Sequence, residues 1–186
     1  MSFNKKNLYW IIPSALILGT ATTVAAFRFN NFMLSKVIEE DNLKKLNELH
    51  PKYRARFIKF FADLYKEGFT PLVTSGYRSI EKQNALHAAD PNAAKGGSSL
   101  HNFALACDIN IMKPKFIGMN TPDADWSRVV EIAKKNKLGW GGNLFGSSYH
   151  DRVHFQPDEL KGKKGTELLA LVEAGQVDKN GFVKLT

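Results

Sequence analysis

Apolar residues recur at helical spacing in the part of the chain that follows residue 50. Pro51 is suited to the first position of a helix, and Gly68 to the residue just after a helix end. Between them, large side chains are spaced three or four positions apart, as on one helix face: Tyr53, Phe57, Phe60, Phe61, Leu64 and Tyr65. The pattern predicts a helix there, and similar but weaker patterns predict helices within residues 34–49, 80–89, 125–136 and 168–173, the second of these capped by Ser79.

Residues 103–111 alternate in polarity, which is typical of a strand. Leu105, Cys107, Ile109 and Ile111 would share a core face, and Ala104, Ala106, Asp108 and Asn110 the opposite face. Shorter extended segments are predicted at 71–74, 138–140 and 153–156, with a terminal hairpin or strand pair at 177–185. Strands and helices that interleave without regular strand–helix–strand units favour an α+β fold over a doubly wound parallel sheet.

Residues 8–27 contain no charged side chain. Twenty residues in a helix span about 30 Å, the thickness of the hydrocarbon core of a bilayer. Lys5 and Lys6 outnumber Arg28 at the ends of this span, which places the amino terminus in the cytoplasm and the rest of the chain outside. Residues 1–28 are therefore predicted to be a cleaved signal peptide or a retained signal anchor, and residues 29–186 to form one domain.

Composition narrows the class of that domain. The chain has 186 residues and a net charge of +8, to which Lys5, Lys6 and Arg28 contribute three, so the domain is only mildly basic and unlike a nucleic-acid binder. The single cysteine excludes an internal disulfide framework. An exported domain of this kind must be held together by its core, by a metal ion, or by both.

Two histidines and two aspartates lie in polar or glycine-containing segments: His101, Asp108, Asp151 and His154. Two imidazoles and one carboxylate make a suitable ligand set for catalytic zinc with a fourth position open to water, and a spare acid can take the proton. Spacing alone favours surface polar residues and a structural histidine over a metal site. Cys107 falls on the predicted core face, which favours a buried thiol over a zinc ligand.

Four separated segments supply further context: SGYRS at 75–79 followed by Gln83, SLHNFALACDI at 99–109, GWGG at 139–142, and DRVHFQ at 151–156. In this order they closely resemble the VanY-type zinc peptidase family. That family includes peptidoglycan L-alanyl-D-glutamate endopeptidases, among them phage endolysins, and D-alanyl-D-alanine carboxypeptidases. The resemblance covers roughly residues 35–160.

The resemblance implies a small, mostly antiparallel central sheet with flanking helices, and one zinc ion held by His101, Asp108 and His154. It makes Asp151 the general base, and it makes Arg78 a catalytic residue that contacts substrate and stabilises the oxyanion. Two further residues are implied to bind substrate or to support the site: Gln83 and Ser99.

The resemblance also implies a function, with two departures from the family pattern. The family usually has glycine at the position of Ala104, and its carboxypeptidases usually have glutamate at the position of Asp151. The second departure favours cleavage of the L-Ala–D-Glu bond of the peptidoglycan stem peptide, in cell lysis or wall remodelling. The alternatives are a D-Ala-D-Ala carboxypeptidase of the same fold and a non-catalytic zinc module that binds the wall.

Partners and location follow from the same expectation. The stem peptide is the expected substrate, residues 8–27 are the expected membrane contact, no nucleic-acid partner is expected, and the protein is expected to be a monomer. The uncharged span, rich in small residues, also looks like the signal-arrest-release segments of some phage endolysins. The catalytic domain is expected in the periplasm or elsewhere outside the cytoplasmic membrane.

Overall fold

The computed structural model describes residues 36, 38–112, 123–144 and 151–185. The predicted signal peptide or anchor within residues 1–28 lies outside this part of the chain. Within the described part, no helix combines the length and the apolar character needed to cross a membrane.

The aromatic stripe forms helix α2, Pro51–Lys66, as predicted. His50 caps its start, because the imidazole Nδ1 accepts a hydrogen bond from the Lys52 backbone N–H at 3.2 Å. Gly68, at φ +82°, adopts the left-handed conformation that ends the segment. The buried side chains of this helix form a large part of the core: Tyr53, Phe57, Phe60, Phe61 and Leu64.

The other predicted helices are present, and one short helix, Gly141–Leu144, was not predicted. Helix α1 includes residues 39–47, and α3 spans Ile80–Ala89, where the Ser79 hydroxyl accepts from the Lys82 backbone N–H at 3.2 Å as the predicted cap. The helices that follow are α4, Asp123–Lys135; α5, Gly141–Leu144; and α6, Gly165–Glu173.

Four strands form one antiparallel sheet in the order β1-β2-β4-β3. The strands are β1, Thr70–Ser75; β2, Cys107–Met112; β3, Leu138–Trp140; and β4, His154–Pro157. This combination of helices with a small antiparallel sheet confirms the predicted α+β class. Because β2 and β4 are central neighbours, side chains on one face of these two strands lie side by side.

The predicted strand at 103–111 is wrong in its first half. Leu100–Phe103 form a 3₁₀ turn, Ala104 has a left-handed backbone with φ 58° and ψ 31°, and the strand begins only at Cys107. A left-handed residue cannot continue a strand, so the face that Ala104 was predicted to share with Asp108 does not form. The alternation does hold from Cys107 onward, where buried and half-buried residues alternate.

The segment 177–185 forms a single antiparallel bridge, between Val177 and Val183, in place of a longer hairpin. His50 connects this segment to the 3₁₀ turn. Its Nε2–H donates to the Val183 carbonyl and its backbone N–H donates to the Ala104 carbonyl, each at 2.9 Å. His50 is 7 % exposed and its ring packs edge-on against Phe182, so three distant segments meet at one buried residue.

Candidate active site

Strand pairing places two of the predicted ligands side by side. Asp108 in β2 is the direct partner of His154 in β4, and on its other side Asp108 is paired with Ser75 of β1. A bulge between Val73 and Ser75 shifts the register of β1 and brings Ser75 to this position. The row Ser75, Asp108 and His154 therefore crosses three adjacent strands.

His101 reaches the same point from the 3₁₀ turn. The Ser99 hydroxyl caps this turn by accepting from the His101 backbone N–H at 3.3 Å. The His101 Nδ1–H donates to the Gly76 carbonyl at 2.8 Å, which directs Nε2 toward Asp108 Oδ1, 3.0 Å away. One ring nitrogen of His101 is thus used for orientation and the other faces the site.

In His154 the roles of the two ring nitrogens are exchanged, so that Nδ1 faces the site. Its Nε2 is 3.2 Å from Oε1 of Gln156, while Nδ1 lies 3.2 Å from Asp108 Oδ1 and 3.2 Å from His101 Nε2. Gln156 is 4 % exposed. Gln156 was not predicted as a site residue from the sequence. A signal was available, because residues two apart on a strand share a face and Gln156 follows His154 by two positions.

The three inward atoms fit a metal ion. They form a triangle with edges of 3.0, 3.2 and 3.2 Å, whereas three ligands on tetrahedral zinc, at about 2.0–2.1 Å from the ion, lie about 3.3 Å apart. Atoms this close are held together either by protonated imidazoles that donate to Asp108 or by a cation that all three bind. Within the described residues, His101, Asp108 and His154 are the group of histidine, cysteine and acidic side chains close enough to hold a metal.

Cys107 does not belong to this group. Its side chain is completely buried on the face opposite Asp108, and burial raises the pKa of the thiol well above its ordinary value. A neutral thiol is a poor metal ligand. The expectation of a buried structural cysteine agrees with this position.

Arg78 contacts the second oxygen of Asp108. Its Nη2 donates to Asp108 Oδ2 at 3.2 Å and to the Ser75 hydroxyl at 2.7 Å, and its Nη1 donates to Gln83 Oε1 at 2.8 Å. Burial alone raises the pKa of Asp108, but the hydrogen bonds and charges of His101 and His154 outweigh it and hold that pKa well below its usual range. Asp108 therefore stays ionised between its partners.

Gln83 and Ser99 occupy supporting positions. Gln83 is 1 % exposed, and its amide N–H donates to the Ala94 carbonyl at 2.6 Å while its oxygen accepts from Arg78. This arrangement fixes the guanidinium of Arg78 against a loop. Ser99 caps the turn that presents His101. The contacts of both side chains are thus with residues that build the site.

Asp151 lies in the loop directly before β4. A turn brings it back toward the site, because its carbonyl accepts from the His154 backbone N–H at 3.2 Å and its own N–H donates to the Gly141 carbonyl at 3.3 Å. Burial and the charge of Asp108 raise the pKa of its carboxyl group, with a smaller opposing effect from His154. The carboxylate of Asp151 is thus close enough to interact electrostatically with Asp108 and His154.

Gly141 allows the close approach of these segments. A Cβ at this position would lie 2.4 Å from the Asp151 carbonyl oxygen and 2.9 Å from the Cβ of His154, both too short for real contacts. The GWGG segment thus provides a residue without a side chain where the loop with Asp151 crosses α5.

Comparisons with known proteins agree with this fold and site. The family model described as D-alanyl-D-alanine carboxypeptidase matches residues 92–157, which include all three candidate ligands and Asp151. Peptidoglycan L-alanyl-D-glutamate endopeptidase CwlK of Bacillus subtilis (strain 168) is 30% identical over 112 residues, covering 52% of this chain and 67% of that protein. The crystal structure of the Serratia marcescens L-Ala D-Glu endopeptidase ChiX has the same fold, with a TM-score of 0.51, 20% identity, and coverage of 63% of this chain and 86% of that chain.

Fold and site together define a peptidase with a candidate metal centre on an antiparallel sheet. The chain belongs to the VanY-type peptidase family, as its motifs indicated, and it is a metallopeptidase.

Proposed function

We propose that this protein is a zinc-dependent peptidoglycan hydrolase that cleaves the L-Ala–D-Glu bond of the stem peptide. The observation that supports it most directly is the triangle of His101, Asp108 and His154 with Asp151 folded back beside it. The name of the Bacillus subtilis relative supports the choice of bond. Aspartate rather than glutamate at position 151 favours the same choice.

In this proposal His101, Asp108 and His154 hold one zinc ion. A zinc ion held there would supply a Lewis acid that polarises the scissile carbonyl and makes water a better nucleophile near neutral pH. The protein must also keep the three ligand atoms in place, and the Gly76 carbonyl and the Gln156 side chain do this for the two imidazoles.

Asp151 is the proposed general base. It takes the proton of the attacking water and then donates it to the leaving amine nitrogen, a pair of transfers that needs a carboxylate outside the metal ligand set. Its place in the loop before β4, beside His154 but apart from the triangle, suits this role.

Arg78 is the proposed partner of the substrate carbonyl oxygen. Its guanidinium is held by Ser75, Gln83 and Asp108, so its orientation is fixed before substrate arrives. A fixed planar cation can donate to the developing oxyanion without a cost of reorganisation. The contact with Asp108 adds a second task, which is to orient that ligand.

Mass spectrometry of muropeptides tests the proposed activity and bond together. The purified full-length protein, loaded with zinc, is incubated with peptidoglycan, and the soluble products are identified. New amino termini on D-glutamate support the proposal, and their absence from walls of every common chemotype contradicts it.

The alternative activity is removal of a terminal D-alanine, which the description of the matching family model favours. In the same experiment it would release free D-alanine and leave the L-Ala–D-Glu bond intact. Sedimentation of the protein with insoluble wall, without any new product, would instead support the non-catalytic wall-binding module.

We also propose that the catalytic domain acts outside the cytoplasmic membrane, since its substrate lies there. The support is the uncharged span 8–27 with Lys5 and Lys6 before it. Intact-mass measurement of the protein made in its host distinguishes a cleaved from a retained span. Digestion of the domain by protease added to spheroplasts is the expected result, and its complete protection would contradict this location.

A further inference from the structure

A groove adjoins the candidate active site on the side of β1. Its volume is about 480 Å³, and it lies between helix α1, the end of β1 and helix α3. Ser75 and Arg78 line it, and these two residues contact each other and, through Arg78, the ligand Asp108. A molecule that occupies the groove therefore lies next to the site where the bond is cleaved.

Positive charge predominates along the groove. Lys45, Arg78 and Lys82 line it, against Glu48 as the acid among the lining residues. The ammonium group of Lys45 already pairs with Asp41 at 2.8 Å and donates to the Val73 carbonyl at 2.8 Å. Arg78 is paired with Asp108 and is assigned to the substrate carbonyl oxygen, so neither cation is free for a second anion in the groove.

Lys82 differs from both. Its side chain is exposed, and its ammonium group forms no ion pair or hydrogen bond with the residues that the structure describes. It lies in the first turn of α3, where the helix dipole disfavours a positive charge. Its charge therefore contributes nothing favourable to the helix, and it faces a groove in which an anion would be attracted.

The chemistry of the proposed substrate supplies such an anion. Glutamate has two carboxyl groups, and when it is inside a peptide one of them forms the next amide bond while the other stays ionised. That free carboxylate belongs to the residue whose amine nitrogen is the leaving group when the L-Ala–D-Glu bond is cleaved. Tyr77 and Leu86, which are 52% and 39% exposed, provide apolar walls for the aliphatic part of the residue.

We propose that the groove binds the free carboxylate of the D-glutamate residue, with Lys82 as the cation that pairs with it. This inference rests on the proposed endopeptidase function and makes Lys82 a residue that determines specificity. It distinguishes a D-Glu residue from its amide, since the amide is isosteric but uncharged.

The test uses two synthetic stem peptides that differ only in whether this carboxylate is free or amidated. The specificity constant kcat/KM of the zinc-loaded full-length protein is measured for each. Lys82→Gln is expected to lower kcat/KM about fivefold on the acidic peptide, mainly through KM, and to leave the amidated peptide unchanged. Lys82→Glu is expected to reverse the preference between the two peptides.

Lys134→Gln is the matched control, because Lys134 is exposed on α4, away from the groove, and the change in net charge is the same. An acid-to-amide ratio that is the same in wild type and both Lys82 variants would overturn the groove proposal and leave the endopeptidase function standing. An equal loss of kcat on both peptides would also overturn it, since that result indicates a structural role. If the wild type cleaves neither peptide, the proposed function fails and this inference fails with it.

Discussion

At the scale of single residues, the contacts behind the candidate ligands decide which ring nitrogen each histidine presents. His101 presents Nε2 because Nδ1–H is engaged by the Gly76 carbonyl, and His154 presents Nδ1 because Nε2 faces Gln156. A main-chain carbonyl cannot be removed by substitution, but the Gln156 side chain can. The two histidines therefore differ in how easily their orientation can be tested.

Gln156→Met is expected to weaken zinc binding by about 10- to 100-fold, because His154 loses the acceptor that fixes its ring while the buried volume is kept. Competition with a chromogenic chelator measures the affinity. Gln176→Met, at an exposed position, makes the same chemical change away from the site. Equal zinc affinity in the wild type and both variants would show that Gln156 does not orient the ligand.

Asp151→Asn and His101→Ala should separate proton transfer from metal binding. Asp151→Asn is expected to keep zinc and lower kcat by about 10²- to 10⁴-fold, because an amide cannot accept the proton. His101→Ala is expected to lose both zinc and activity, since one of the three ligands is gone. Zinc content and turnover are measured on the same samples, and full activity of Asp151→Asn would refute its assignment as the base.

At the scale of secondary-structure elements, the site depends on the close approach of backbone segments to one another. The loop with Asp151 crosses the start of α5 at Gly141, and the turn with His101 ends at the left-handed Ala104. Ala104 has a left-handed backbone, which costs an L-residue about 1–2 kcal/mol and favours glycine, the residue that the resemblance led us to expect at this position.

Gly141→Ala is expected to lower kcat/KM by about 100-fold, because the added Cβ displaces both the Asp151 loop and His154. The kcat/KM values of folded Gly141→Ala and of the wild type are compared in a peptide-cleavage assay. Equal values would contradict the proposed role of the close approach.

The helices could be predicted from sequence because local signals define them. The stripe from Tyr53 to Leu64 and the cap at Ser79 need no knowledge of the rest of the chain. The start of β2 could not be predicted, because apolar Leu105 fits the alternation of the strand although it is buried by tertiary contacts before β2 begins. The left-handed conformation of Ala104 has no signal in the residue type.

At the scale of the whole molecule, the candidate metal centre joins three parts of the fold. His101 comes from a turn, Asp108 from β2 and His154 from β4. Sequence motifs could identify the members of this set, but not the bulge that places Ser75 beside Asp108, nor the bond from Arg78 to Asp108. Those contacts depend on strand register, which no single segment encodes.

Removal of zinc is expected to lower the melting temperature, because the ion binds the folded state and not the separated ligands. At free zinc 100 times the Kd, binding contributes about 2.7 kcal/mol, which corresponds to roughly 5–10 °C for a domain of this size. Calorimetry with and without a chelator measures the shift. His101→Ala serves as the reference and should show no response to chelator, and an equal response would place the ion elsewhere.

The hydrogen bond from His50 to Val183 has a consequence for the kinetics of folding. It joins residues 133 positions apart, and contacts of such long range form slowly because a large loop must close first. Helix α2 can form within microseconds, but His50 at its start gains this partner only when the segment 177–185 arrives. The backbone N–H of His50 also bonds the carbonyl of Ala104, the residue that ends the turn containing His101. The docking of segment 177–185 and the completion of a rigid metal-binding site are therefore expected to occur together, late in folding.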